Sequence, residues 1–129
     1  MKIIFTNGTE LNPIMVTGAP NYFQGVSRDS LTFVFSGDSD MEALDKAFTE
    51  AACEHITIVG GDGTEAIHSG YTVRVELVKK QVETQKATFD TEAVFENRVF
   101  VTMAQRTYAE TQLAAMQAAM NALLTGEEV

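Results

Sequence analysis

The sequence predicts an α+β fold: a mostly antiparallel β-sheet with one short inserted helix and a C-terminal helix. Three observations carry this expectation. Apolar and polar residues alternate over 2–6, 71–77 and 94–104, the period of a strand with one buried face. Apolar residues instead recur every three or four positions over 41–51 and 108–124, the period of a helix. Turn sequences, among them Asn7-Gly8 and the glycines at 60–63, join alternating runs directly, which pairs neighbouring strands antiparallel.

Taken in order, Ile3 and Phe5 point one way from the first run and Ile4 and Thr6 the other. Asn7-Gly8 is a strong hairpin signal, with both residues expected at φ > 0 and 9–11 returning as the second strand. Pro13 removes a donor and ends that pairing. Residues 14–25, broken by Gly18 and Pro20, read as short strands or as a loop over one face. Leu31 to Phe35, apolar on both sides, reads as a central strand. Ser39 and Glu42 have the spacing of a capping box. Met41, Leu44, Ala47, Phe48 and Ala51 then mark about three helical turns, and 55–59 resumes a strand with Ile56 and Ile58 on one face. Tyr71, Val73, Val75 and Leu77 form the dry side of a longer strand. The polar stretch 81–92 reads as a loop or a weak strand extension, and 94–104 pairs antiparallel with 71–80. Thr107 and Glu110 repeat the capping-box spacing ahead of the last helix, with Gly126 at or just beyond its end and a frayed acidic tail. The chain thus divides into a sheet domain over 1–106 and a helix over 107–125, packed on that sheet or on a partner subunit.

The 129 residues suit a single domain. Eighteen acidic residues against nine basic ones leave a net charge of −9, a field that repels nucleic-acid backbones and anionic membrane surfaces. Neither is expected as a partner. Cys53 is the only cysteine, so no internal disulfide forms. The opening MKIIFTNGTE has an apolar run of three residues, too short for a secretion signal. No stretch reaches the ~18 apolar residues of a membrane span.

One short stretch advertises chemistry. Gly60-Gly61-Asp62-Gly63-Thr64 resembles the phosphate-loop signature of the NAD kinase and diacylglycerol kinase superfamily. That loop works by backbone approach to phosphate followed by a helix N-terminus. Here six residues, EAIHSG, separate Thr64 from the alternating run at Tyr71, which leaves no room for the helix. A hairpin turn with Gly60, Gly61 and Gly63 at φ > 0 accounts for the same letters. A small-ligand (nucleotide or phosphate) binding or enzymatic domain built on this turn stands as the alternative function. Cys53, His55 and His68, with Asp62, are the conceivable metal ligands, but they lack paired ligand spacing. No GxSxG nucleophile motif occurs. The expectation is no enzyme activity, no cofactor and no metal.

The last helix is the most informative segment. Leu113 and Met120 fall at heptad a positions, and Ala109, Met116 and Leu123 at d, with Leu124 widening the seam. From Tyr108 to Leu124 Glu110 is the single formal charge. Such a helix has more apolar circumference than one small sheet covers. Either it packs across its own sheet with one side mildly exposed, or Ala109, Leu113, Met116, Met120, Leu123 and Leu124 form an oligomer interface.

The succession of the MKIIFTNGTEL hairpin, YFQGVSRDSLTFVF, the capped DMEALDKAF helix, GYTVRVELVKK and VFENRVFVTMAQRTYAETQLAAM resembles small structural proteins of phages and prophages of Gram-positive bacteria, encoded among tail and baseplate genes. The resemblance implies a non-enzymatic virion or assembly role, repeated copies in contact, other tail proteins as partners, and a location in the virion or host cytoplasm. It supplies no site residues.

Overall fold

In the computed structural model, which describes residues 1–124, the first alternating run folds back on itself. Strands β1 (Lys2–Ile4) and β2 (Glu10–Leu11) pair antiparallel, Ile3 opposite Leu11. Their loop differs from the two-residue turn expected. Only Gly8 has positive φ (85°). The Phe5 amide donates to the Thr9 carbonyl at 2.9 Å, which lengthens the loop by one residue, and the Asn7 side chain accepts from the Thr9 amide at 3.0 Å. Asn7 therefore works through its side chain, not through a left-handed backbone.

Residues 14–25 are neither fragments nor a loop. Strand β3 (Met15–Phe23) pairs along its full length with β4 (Val26–Ser36) through a tight turn at Gln24 (φ 53°) and Gly25 (φ 78°). Pro20 is tolerated because β3 is an edge strand, where one side needs no donor.

Helix α1 (Met41–Ala47) has two turns rather than three. Its N-cap is Asp40, whose carboxylate accepts from the Glu42 amide at 3.0 Å; the expected cap, Ser39, instead contacts the Ser36 hydroxyl. Phe48 ends the helix by seating its ring between those of Phe5, Phe33 and Phe35, with centroids 4.9, 5.2 and 6.0 Å away. Ala51, expected on the buried face, is exposed. After a short 3-10 turn at Ala52–Glu54 come β5 (His55–Val59), β6 (Glu65–Ser69), β7 (Val73–Gln85) and β8 (Val94–Ala104), then helix α2 (Tyr108–Leu124). The expected helix end at Gly126 and the acidic tail lie outside the described residues.

The strands form two four-stranded antiparallel sheets, ordered β2-β1-β5-β6 and β3-β4-β8-β7. The fold is α+β and mostly sheet, as the periodicities predict. One core serves both sheets: Ile3 and Ile56 from the first, Phe33, Val99 and Val101 from the second and Leu44 from α1 meet around Phe48. Loss of the Phe48 ring would cost about 3–5 kcal/mol.

The second sheet is asymmetric. Its inner face carries cross-strand rows such as Val16, Phe33, Val101 and Leu77. A bulge at Val75 breaks the expected dry face of the long strand: Leu77 stays inward opposite Val101, whereas Val73 pairs with Ala104 on the outer face. It also turns Arg74 inward, where its guanidinium donates to the Phe48 carbonyl at 2.8 Å and to Asp45 at 2.9 Å. The outer face carries three rows of four: Met15, Val34, Phe100 and Val78; Thr17, Thr32, Thr102 and Glu76; Ala19, Ser30, Ala104 and Val73. Beyond the Ser36–Arg98 pair, β7 and β8 continue as a two-stranded arm, so the polar stretch extends the strand as far as Gln85 and is a loop from there to Val94.

Candidate functional site

The last helix is held tightly at its base. Thr107 and Glu110 form the expected capping box: the Thr107 amide donates to Glu110 Oε1 at 2.9 Å, and the Glu110 amide donates to Thr107 Oγ1 at 3.2 Å. The connecting residues are stitched to both sheets. The Gln105 amide donates to the Asp29 carbonyl at 2.8 Å and the Arg106 amide to the Gly70 carbonyl at 3.0 Å, while the Arg106 guanidinium pairs with Glu54.

The strongest tie is Arg28, on the outer face of β4, whose side chain is only 2% exposed. Its Nη1 and Nη2 donate to the two Glu110 carboxylate oxygens at 2.5 and 3.2 Å, a two-pronged pair. Its remaining hydrogens reach the carbonyls of Phe23 and Gln105 at 3.1 and 3.2 Å. The Arg28 hydrogen bonds, aided by the Thr107 amide, hold the Glu110 carboxyl down at about 2. The first turn of α2 is thereby fixed in place on the sheet domain.

Beyond that turn the leucines and methionines of the helix are open. No α2 residue is buried. Leu113, Met116, Met120, Leu123 and Leu124 are 55–80% exposed, and Ala109 is also open. The six residues proposed from the heptad pattern thus share one property, exposure on a helix with a rigid base. Packing of α2 across its own sheet is not what the single chain adopts. Leucine and methionine side chains left in water forgo about 1.5–3 kcal/mol each.

The Gly-rich stretch is a hairpin turn, closing β5 onto β6 with Val59 opposite Glu65. Its wiring repeats that of the first hairpin. Gly60 donates to the Thr64 carbonyl (2.8 Å), Gly63 to the Gly60 carbonyl (3.0 Å) and Thr64 to the Asp62 side chain (3.1 Å), as Phe5, Gly8 and Thr9 do. Only Gly63 takes positive φ, 85°, the same value as Gly8; Gly60 and Gly61 do not. Three of the five loop amides are spent internally, and the residue after the loop opens a strand, not a helix. Hydrogen bonds from the Thr64 hydroxyl and amide keep the Asp62 carboxyl below its usual range, so an anion sits where a phosphate would approach.

The conceivable metal ligands do not converge. Cys53 lies on the 3-10 turn, fully buried, and desolvation pushes its thiol up to about 12. His55 bonds to the Ser69 hydroxyl at 2.9 Å, and His68 meets the Tyr71 ring edge-on. His68 pairs with Ile56, next to His55 in β5, so the imidazoles sit on opposite sheet faces. Among the described residues no three His, Cys, Asp or Glu side chains could hold a metal ion, and no helix is long and apolar enough to cross a membrane.

Sequence reasoning missed Arg28. Its alternation with Ser30 and Thr32 marks it as outward-facing, and only the position of Glu110 in space makes that a buried anchor. No family model matches this chain, nor does any curated protein or solved structure.

Proposed function

We propose that the protein is a non-enzymatic structural component that self-associates through α2. One observation carries this reading: a helix anchored at its base by a buried arginine presents its leucines and methionines to solvent along its whole length. Exposed apolar surface of this kind marks protein interaction, and a rigid base means little ordering entropy is lost when a partner covers it. The resemblance to tail and baseplate proteins of phages and prophages gives the assembly its setting, with other tail proteins as further partners and the virion or host cytoplasm as location.

Sedimentation velocity tests it. The wild-type chain is expected to be an oligomer at micromolar concentration, and Leu113→Glu with Met120→Glu a folded monomer. A monomeric wild type that binds a nucleotide, and loses that binding in Gly61→Ala, would overturn the proposal.

A further inference from the structure

We infer that β6 (Glu65–Ser69) pairs antiparallel with β6 of a second copy about a twofold axis at Ile67, joining their β2-β1-β5-β6 sheets edge to edge. The contact lies apart from α2 and goes beyond the α2 reading, on which it rests only for bringing copies together.

Each sheet ends in two edge strands, and all but β6 are closed to further pairing. Brevity, proline, charge and bulges all blunt an edge. β2 has two residues, with Pro13 just after it. β3 carries Pro20, which removes a donor from its free side. β7 carries Lys79 and Lys80 between its two bulges. β6 contains neither proline nor glycine, pairs with β5 in unbroken register and has one acid, Glu65, at its start.

The hydrogen bonds that bracket β6 fix which of its backbone groups are open. The Gly60 amide donates to the Thr64 carbonyl at 2.8 Å, and the Gly70 amide to the Glu54 carbonyl at 2.9 Å. Antiparallel pairs alternate, so Ala66 and His68 bond toward β5, while the amides and carbonyls of Glu65, Ile67 and Ser69 point to the free edge. The Ser69 carbonyl accepts from Gln105 Nε2 at 3.3 Å and keeps a second lone pair. Ile67 is 68% exposed. It ends a row with Thr57 and Ile4 on the sheet face away from Ile3 and Ile56.

The strand is complementary to itself. With the axis at Ile67, that side chain meets its own copy, and the row of Ile4, Thr57 and Ile67 runs on into the same row of the second chain. Ala66 stands opposite the second copy's His68, and Glu65 opposite the second copy's Ser69. Each Glu65 carboxylate then approaches a Ser69 hydroxyl already bonded to His55 Nδ1 at 2.9 Å. The two Glu65 side chains sit at opposite ends of the pair, ~13 Å apart along the strands, so no like charges face each other.

A strand of five residues is ~17 Å long and covers less than the about 800 Å² per partner of a stable interface. Backbone hydrogen bonds rather than area carry strand addition. Copies held through α2 present β6 to one another at high local concentration.

The test uses the full chain. A residue on a twofold axis meets itself, so Ile67→Lys and Ile67→Glu should each lose the largest species seen for the wild type in sedimentation velocity. Mixing the two in equal amounts should bring those species back. Separately, Ile67→Cys should form a disulfide dimer under mild oxidation at least tenfold faster than Tyr22→Cys, which is 76% exposed on the β3 edge. A hydrogen-bonded antiparallel pair has its Cα atoms about 5.5 Å apart, within disulfide reach, and native Cys53 is fully buried. Charge variants that sediment like the wild type, or equal oxidation rates, would overturn the inference and leave α2 self-association standing. Losses that mixing does not repair would assign β6 to a different strand and equally overturn self-pairing. If the wild type proves monomeric at micromolar concentration, the α2 reading fails, and the cysteine comparison still decides: faster trapping at position 67 upholds the β6 pair, and equal rates overturn it.

Discussion

Replacing Glu110 by glutamine isolates the charge that ties α2 to the sheet domain. Glutamine keeps the N3 side of the capping box and can still accept one hydrogen bond from Arg28. What disappears is the negative partner of a guanidinium whose side chain is 2% exposed. Stripping a partner from a fully buried pair costs about 3–5 kcal/mol. The Glu110 side chain is 39% exposed, and solvent screening of that partner reduces the figure. The expected loss is about 1–2 kcal/mol at neutral pH, intermediate between buried and surface pairs. Urea unfolding followed by circular dichroism measures it, in the Leu113→Glu, Met120→Glu background so that association does not contribute. The pH dependence fixes the origin. The Glu110 carboxyl falls from an ordinary 4.5 to about 2 on folding, so its contribution is present above about 4.5 and is lost as pH falls toward about 2. The gap between the two proteins should therefore be flat near neutrality and close in acid. Equal stability at neutral pH, or a gap that persists unchanged near pH 2, would refute the anchoring role.

Three further outcomes follow from the fold. A Cβ on Gly37 would lie 2.2 Å from the Asn97 backbone oxygen, so Gly37→Ala should cost about 1–3 kcal/mol or more as the base of the β7–β8 arm is displaced; a thermal melt reads this directly. Gly63→Ala, at φ 85°, should cost about 1 kcal/mol, while Gly61→Ala, with open space and ordinary backbone, should be neutral within about 0.5 kcal/mol. Cys53, buried with its thiol pushed up to about 12, should react with a thiol reagent near pH 8 only after unfolding; rapid labelling of the native protein would contradict its burial.

Much of the architecture was legible because period and burial agree. The runs at 94–104 and 55–59 and the 108–124 helix match their elements, and the first hairpin forms with a longer loop than expected. Departures have local causes. The Gln24-Gly25 turn escaped notice because glutamine seldom takes the left-handed backbone that asparagine tolerates. Asp40 displaced Ser39 as a helix cap because both are capping residues one position apart. The Val75 bulge is invisible to any strict alternation, since it changes phase within an unbroken β-rich run. At the candidate site, the heptad pattern identified the apolar residues of α2, whereas the anchor depended on a contact between positions 28 and 110 that no local pattern encodes.

The exposure of α2 in a single chain, and its covering in an assembly, is best tested by hydrogen exchange of the 108–124 amides at several protein concentrations. A bare helix of this length is marginal in water, and association protects by mass action. Strong protection at high concentration that fades on dilution, while β4 and β8 stay protected throughout, is the predicted result. Protection of α2 that does not change with concentration would contradict it.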